Sequence, residues 1–140
     1  MTPDAPLALR PVGVVRSPLT DRETAPKQGP EGSPDAWIEF DAAYLPALAS
    51  IGAGDGLILL TWFDRAARDV LQVHPRGNPD NPLTGVFSTR SPDRPNPIGL
   101  HPVTVAEVDG HRLRVHDLEA LDGTPVIDVK SADAGPGPRG

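Results

Sequence analysis

The chain has 140 residues, a net charge of −6 and no cysteine, with 18 prolines and 14 glycines. This length suits one domain with a single hydrophobic core. The absence of cysteine excludes disulfides, thiolate zinc sites and a cysteine nucleophile. No apolar run is long enough to cross a bilayer, and the first residues show no signal-peptide pattern, so we expect a cytoplasmic protein without membrane contact.

The frequent prolines and glycines predict short strands joined by turns. We expect a flexible tail over residues 1–10, one β domain over residues 11–130 and a disordered tail over residues 131–140. In chain order, the predicted strands are residues 12–16, 36–40, 56–63, 85–88, 104–108, 113–115 and 125–129. This spacing predicts a mainly all-β fold, a small closed or nearly closed antiparallel barrel.

The connections between these strands carry their own signals. Residues 17–34 are a long proline-containing loop, a kind of segment that is often functional. Residues 42–49 predict a short helix that Asp41 caps and Pro46 limits, and residues 64–69 predict a brief helical turn. Residues 56–63 are apolar without alternation, which favours a central strand. The pairs Asp109-Gly110 and Asp122-Gly123 predict hairpin-type turns.

Positive charge is concentrated in the middle of the chain. Residues 65–94 contain five arginines and three aspartates, a local net charge of +2, so the rest of the chain carries −8. This segment is therefore the only plausible region for contact with an anion such as a nucleic-acid phosphate. Scattered surface charge explains the same pattern equally well at this point.

Several common site patterns are absent or misplaced. Glycines at 52, 54 and 56 precede a predicted strand, whereas a dinucleotide-binding fingerprint follows one. The four histidines (His74, His101, His111 and His116) share no metal-ligand spacing, so we expect no metal site. No Gly-x-Ser-x-Gly elbow is present, although residue counts alone do not exclude a Ser-His-Asp triad.

Two segments concentrate residues suited to ligand binding. In residues 85–100, three prolines restrict the backbone while Arg90, Arg94 and Asn96 offer groups that bind anions or form hydrogen bonds. In residues 117–130, Asp122 and Thr124 flank a tight turn that could hold hydroxyls or an ammonium group. A proline-rich surface turn in the first case, and a hairpin with a structural Asp128–Lys130 ion pair in the second, are equally good interpretations from the residues alone.

Together, these segments carry a resemblance to a known family. "GVFSTRSPDRPNPIGLHPVTV" followed by "DLEALDGTPVIDVK" resembles the TsaA-like (YaeB-like, TrmO-type) family, supported by "PVGVVRSP", "APKQG" and "LILLTWFDRA". The likeness extends from about residue 11 to residue 130. It implies a non-Rossmann β-barrel that uses S-adenosylmethionine to methylate the N6 atom of threonylcarbamoyladenosine at position 37 of tRNA, usually as a homodimer.

The resemblance also implies site residues. The cofactor-binding set is Pro26, Lys27, Gln28, Asp64, Arg65, Arg90, Leu121, Asp122, Gly123 and Thr124. Arg76, Arg94 and Asn96 are the candidates for binding the substrate. No general base stands out. Our hypothesis is that positioning of donor and acceptor dominates catalysis and that Asp64, Asp122 or solvent receives the proton.

Two other readings stay open at this stage. The same barrel and cofactor could serve a different acceptor, such as a small molecule. A module that binds S-adenosylmethionine or a nucleotide without turnover belongs to a different class. A test for methyl transfer distinguishes the binding module from the two enzymes. The salt dependence of acceptor binding helps to distinguish tRNA from a small molecule, because phosphate contacts weaken steeply with salt.

Overall fold

The structure, a computed structural model, describes residues 7–20 and 34–132, over which the chain forms eight strands. They are β1 (Gly13–Arg16), β2 (Ala36–Phe40), β3 (Gly56–Trp62), β4 (Gln72–Val73), β5 (Thr84–Gly85), β6 (Ile98–Asp109), β7 (Arg112–His116) and β8 (Pro125–Ser131). The same residues include three short 3₁₀ helices, Ala42–Leu48, Pro75–Gly77 and Val86–Ser88. The predictions made for residues 1–6 and 133–140 lie outside the described residues.

Six of these strands close into an antiparallel ring in the order β1–β2–β7–β6–β3–β8, and β8 pairs back onto β1. The closing pair places Gly13 opposite Val126. Strands β4 and β5 form a separate two-stranded sheet. Closure leaves no ring strand with an open edge, so their backbone N–H and C=O groups find partners within the ring. The predicted fold class, mainly β and of non-Rossmann type, is confirmed.

The core fills the ring from inward-facing positions that alternate along the strands. Three residues of β2 show the pattern, because Ala36, Ile38 and Phe40 are buried while the residues between them are partly exposed. Other fully buried core residues are Val15, Leu59, Leu113, Val115, Leu118 and Val126. The two-residue period of a strand therefore accounts for most of the core.

Strand β3 corrects one prediction, because its burial alternates although its sequence does not. Leu57, Leu59 and Thr61 are buried, whereas Ile58 and Leu60 are only half-buried. In a closed ring every strand has two neighbours, so the distinction between central and edge strands does not apply here. The uniform apolar character of β3 reflects partial cover on its outer side.

The predicted 42–49 helix is confirmed as a 3₁₀ segment, with the Asp41 carboxylate accepting a hydrogen bond from the N–H of Ala43 (2.9 Å). Residues 85–88, predicted as a strand, belong mainly to the 3₁₀ helix Val86–Ser88. Residues 64–69 form a turn rather than a helix.

Strand β6 begins six residues before the predicted start, because the proline-containing segment 98–103 pairs along β3 despite Pro102.

The two predicted hairpin turns have different outcomes. Gly110, with φ of 60°, joins the paired strands β6 and β7 as expected. Gly123 also adopts a positive φ, 85°, but the strands around it, β7 and β8, do not pair with each other. That connection crosses the end of the ring instead. The Asp128–Lys130 ion pair is absent among the described residues, since both side chains are exposed and the Asp128 carboxylate accepts from the N–H of Val129.

Over the part of the chain that the structure describes, no helix is long and apolar enough to cross a membrane. No cluster of three or more His, Asp or Glu side chains in that part is arranged to hold a metal ion.

Candidate functional site

Four loop segments meet at one end of the ring, which we call the site loops: residues 17–20, 63–69, 91–97 and 117–124. The antiparallel pairing dictates this meeting. Thr61 near the end of β3 lies opposite Gly99 near the start of β6 and next to Val126 near the start of β8. Val14 of β1 lies opposite Pro125 at the start of β8, and Val15 exchanges backbone hydrogen bonds with Gly123 and Thr124 just before it. Segments far apart in sequence are therefore neighbours at this end.

The turn 121–124 is tied to the chain leaving β1. The N–H of Asp122 donates to the carbonyl of Leu19 (2.7 Å), and its carboxylate accepts from the N–H of Ser17 (3.0 Å). The Thr124 hydroxyl, which is buried, donates to the Leu121 carbonyl (2.7 Å). The positive φ of Gly123 lets the backbone complete this tight turn. The turn is thus a rigid feature of the site.

The exposed side chain of Arg65 links two of the site loops. Its guanidinium donates to the carbonyls of Thr20 and Asp122, both at 3.2 Å. The neighbouring Asp64 is exposed and has no partner among the described residues. The structure therefore brings together Asp64, Arg65 and the turn 121–124, as the sequence prediction requires of a common site.

Residues 91–97 pack against residues 63–69 through backbone and side-chain hydrogen bonds. Asp93 accepts from the N–H of Ala67 (2.9 Å), and the N–H of Arg94 donates to the Ala67 carbonyl (3.0 Å). Arg68 donates to the Pro95 carbonyl (2.8 Å) and to Oδ1 of Asn96 (3.1 Å), and its guanidinium stacks over the Trp62 ring at 5.1 Å. Asn96 is therefore part of the contact between these two segments.

The two arginines of the proline-rich motif differ in their surroundings. The Arg94 guanidinium is half-buried and donates to the carbonyls of Thr89 (3.1 Å), Ser91 (3.0 Å) and Val86 (2.8 Å). Arg90 is exposed and has no partner among the described residues. Arg94 therefore holds the loop in shape, whereas Arg90 presents, next to the loop, a cation that pairs with none of the described residues. A substrate-binding role for Arg94 stays a prediction.

Replacing Arg94 with alanine is expected to lower the free energy of unfolding by about 2 kcal/mol, because three carbonyl acceptors lose a charged donor at once. Urea denaturation followed by tryptophan fluorescence measures this effect. Arg90→Ala is the matched control and should unfold at the wild-type urea concentration. Equal midpoints for wild type and Arg94→Ala would contradict the clamping role.

Arg76 does not join this group, and three further predicted residues are outside the part of the chain that the structure describes. Arg76 is exposed in the 3₁₀ turn Pro75–Gly77, on the separate connection between β4 and β5, and adopts a positive φ of 59°. Pro26, Lys27 and Gln28 lie outside the described residues. The candidate site is consequently defined by the loops after β3 and before β6 and β8, with Arg90 alongside.

The arginines around the ring differ in the groups that they contact. Arg16, Arg112 and Arg114 form ion pairs with Glu39, Asp109, Asp35 and Glu107. Hydrogen bonding from His116, together with the nearby Arg114, lowers the pKa of Asp35 below its ordinary value. By contrast, Arg65, Arg68 and Arg94 donate to carbonyl or amide oxygens. The site loops contain these three arginines and six carboxylates, so their formal net charge is −3; the carboxylates are Asp64, Asp69, Asp93, Asp117, Glu119 and Asp122.

One polar cluster escaped the sequence analysis. His101, buried on the inner face of β6, lies between Glu119 and Thr61, with Nε2 2.7 Å from the Thr61 hydroxyl and Nδ1 hydrogen-bonded to the Glu119 carboxylate. Its burial could have been predicted from the two-residue period of a strand, because His101 lies on the same inward face of β6 as Val103 and Val105. Its partners are 40 and 18 residues away, which no local pattern reveals.

A small closed antiparallel sheet with carboxylates, arginines and a glycine turn gathered at one end defines a ligand-binding domain of non-Rossmann type. Residues 14–132 match the tRNA-methyltransferase O N-terminal domain. The chain belongs to this family, and the resemblance noted in its sequence is confirmed.

Relatives and solved structures agree with this assignment. An S-adenosyl-L-methionine-binding protein from Archaeoglobus fulgidus is 45% identical over 124 residues, 89% of this chain and 88% of the relative. A probable S-adenosyl-L-methionine-binding protein from Methanothermobacter thermautotrophicus is 46% identical over 127 residues, 91% of this chain and 90% of the relative. The crystal structure of TrmO from Pseudomonas aeruginosa matches with a TM-score of 0.70 and 27% identity, covering 96% of this chain and 62% of that one. This chain spans about three fifths of the TrmO chain in that structure.

Proposed function

We propose that this protein binds S-adenosylmethionine at the site loops and transfers its methyl group to tRNA, at the N6 atom of threonylcarbamoyladenosine in position 37. Membership of the tRNA-methyltransferase O family and the names of its relatives support the cofactor and the reaction class. The sequence resemblance supports the acceptor. It also leads us to propose a homodimer that acts in the cytoplasm.

The observation that carries the proposal is the meeting of Asp64, Arg65 and the turn 121–124 at one end of the ring, with Arg90 exposed nearby. The cofactor has an ammonium group, a carboxylate and ribose hydroxyls. The carboxylates of Asp64 and Asp122 suit the ammonium and the hydroxyls, and a guanidinium suits the carboxylate. These residue types fit the proposed ligand without a metal ion.

The chain's own contribution is mainly positioning. The bound cofactor would supply an activated methyl group on sulfur, so the protein has to align acceptor and donor. The turn 121–124, fastened to the end of β1, and Arg65, fastened to Thr20, form a rigid wall for this purpose. Rigid elements limit the entropy lost when the two reactants are brought together.

The two carboxylates are suited to different roles. Asp122 accepts a hydrogen bond from the Ser17 backbone, so part of its accepting capacity is used in holding the turn. Asp64 is exposed with no partner among the described residues. We therefore assign Asp64 as the group that receives the acceptor's proton and Asp122 as the group that orients the cofactor.

Nucleoside mass spectrometry tests the proposal directly. The purified protein is incubated with S-adenosylmethionine and tRNA that carries threonylcarbamoyladenosine without its methyl group. We expect a mass gain of one methyl group on that nucleoside, and none when the cofactor is omitted or when the tRNA lacks the threonylcarbamoyl group.

The same experiment decides between the proposal and its alternatives. Cofactor binding by calorimetry without methylation of tRNA would favour another acceptor or a binding module, a reading that the names of the relatives and the net charge of −6 also suit. No binding and no methylation would contradict the proposed function as a whole.

A further inference from the structure

The inside of the ring contains a polar chain that the proposed mechanism does not use. His101 is 1% exposed, and its two ring nitrogens bond to Glu119 and to Thr61, which is also buried. The Phe63 ring packs edge-on against the imidazole, with centroids 5.6 Å apart. We refer to Glu119, His101 and Thr61 as the inner chain.

The hydrogen bonds of the inner chain are mutually consistent. An ionised Glu119 can only accept, so His101 donates from Nδ1. Nε2 of a neutral imidazole then accepts from the Thr61 hydroxyl. Both nitrogens of His101 are satisfied, so the chain is complete without a bound ligand.

Each member of the inner chain belongs to a segment that builds the site. Thr61 lies near the end of β3, three residues before Asp64. His101 lies in β6, the strand that starts directly after the loop 91–97. Glu119 lies in the connection 117–124, two residues before the turn at Leu121. The inner chain therefore connects the strand ends next to the loops 63–69 and 91–97 with the segment 117–124, from inside the ring.

Core stability alone does not explain the inner chain. Burying an imidazole and a carboxylate carries a desolvation penalty, and well-packed apolar residues of similar volume often stabilise a core equally well or better. What apolar residues cannot supply is a directional link between fixed atoms. Backbone hydrogen bonds hold the far side of the turn, Gly123 and Thr124, to Val15 of β1. Residues 117–120, which lead into the turn, belong to no strand, so a link through Glu119 has a specific use there.

We propose that the inner chain positions the cofactor-binding turn: the Glu119–His101–Thr61 hydrogen bonds fix residues 121–124 relative to the end of β3, and cofactor affinity depends on them. The proposal rests on the proposed function, in which S-adenosylmethionine binds at the site loops. Glu119, His101 and Thr61 are positioning residues that act through the turn and through Asp64.

Paired substitutions test this role by separating hydrogen bonding from shape. Thr61→Val keeps the shape and removes the hydroxyl, whereas Thr61→Ser keeps the hydroxyl. Glu119→Ala removes the acceptor, whereas Glu119→Gln keeps an oxygen in its place. We expect Thr61→Val and Glu119→Ala to raise the Kd for S-adenosylmethionine about tenfold, and Thr61→Ser and Glu119→Gln to stay within about threefold of wild type, since only the first pair breaks the chain.

A core control distinguishes positioning from general stability. Leu57 is buried at the opposite end of β3, so Leu57→Ala should lower the Tm without changing the Kd. Calorimetry and thermal unfolding are measured for all five variants. If Thr61→Val and Glu119→Ala lower the Tm but leave the Kd at the wild-type value, the inner chain is purely structural and the proposal is overturned. Absence of cofactor binding by the unchanged protein would instead overturn the proposed function, and this proposal with it.

Discussion

Replacing Gly99 with alanine is expected to destabilise the fold by about 2–6 kcal/mol, the largest stability effect we predict for a single methyl group. A Cβ at this position would lie 2.4 Å from the Thr61 hydroxyl oxygen, 2.5 Å from Cζ of Phe63 and 2.6 Å from Nε2 of His101. Overpacking of this kind typically costs about 1–3 kcal/mol. Disrupting the Thr61–His101 hydrogen bond in a buried setting adds about 1–3 kcal/mol.

Gly85 provides a matched control for this experiment. A Cβ there would meet nothing within 4 Å, and its φ of −59° is accessible to alanine. Gly85→Ala should therefore unfold at or slightly above the wild-type denaturant concentration. Urea denaturation of both variants measures the difference. Similar midpoints for Gly99→Ala and Gly85→Ala would contradict the close packing of Gly99 against the inner chain.

Replacing Arg90 with alanine is expected to weaken binding of S-adenosylmethionine by about 1.5–3 kcal/mol, a rise in Kd of roughly 10- to 150-fold. The Arg90 guanidinium is exposed, lacks a partner among the described residues and lies beside the site loops. It is therefore free to bind the carboxylate of the cofactor as a bidentate donor. Because no described residue forms a hydrogen bond or an ion pair with its side chain, the Tm should stay at the wild-type value.

Two comparisons make the Arg90 result specific, with Kd measured by calorimetry. Arg112→Ala removes an exposed arginine that is paired with Asp109 at the far hairpin, so the Kd should not change. Arg90→Lys keeps the charge but loses the planar fork, so an intermediate affinity is expected. An unchanged Kd for Arg90→Ala would remove Arg90 from the proposed cofactor site.

Local chemistry was enough to predict part of the fold. The alternation of β2, the Asp41 cap and the turn at Gly110 each depend on a few consecutive residues, and the structure contains all three. The prediction was wrong where tertiary pairing overrode local preference. Pro102 lies inside β6 because the long pairing with β3 accommodates it, and the segment 86–88 turns into a 3₁₀ helix instead of extending as a strand.

The candidate site shows the same division. Residue types and the family resemblance led to Asp64, Arg65, Arg90 and the turn 121–124 as candidates, and these assignments stay predictions. They assigned Arg90 to the cofactor and Arg94 to the substrate, but they did not predict that Arg94 holds its own loop, because that depends on which carbonyl oxygens lie within reach of its guanidinium in the folded chain. Pro26, Lys27 and Gln28 stay predictions.

By itself, the sequence determined the strand period, most turns and the family, and it supplied candidates for the binding residues. These follow from backbone preferences and side-chain chemistry that act within a few positions. Only the tertiary structure decided that Thr61, His101 and Glu119 form one buried chain and that Gly99 has no room for a side chain. The physical reason is the pairing of β3 with β6 and the course of the β7–β8 connection across the end of the ring, which bring together groups that are 18 to 40 residues apart in sequence.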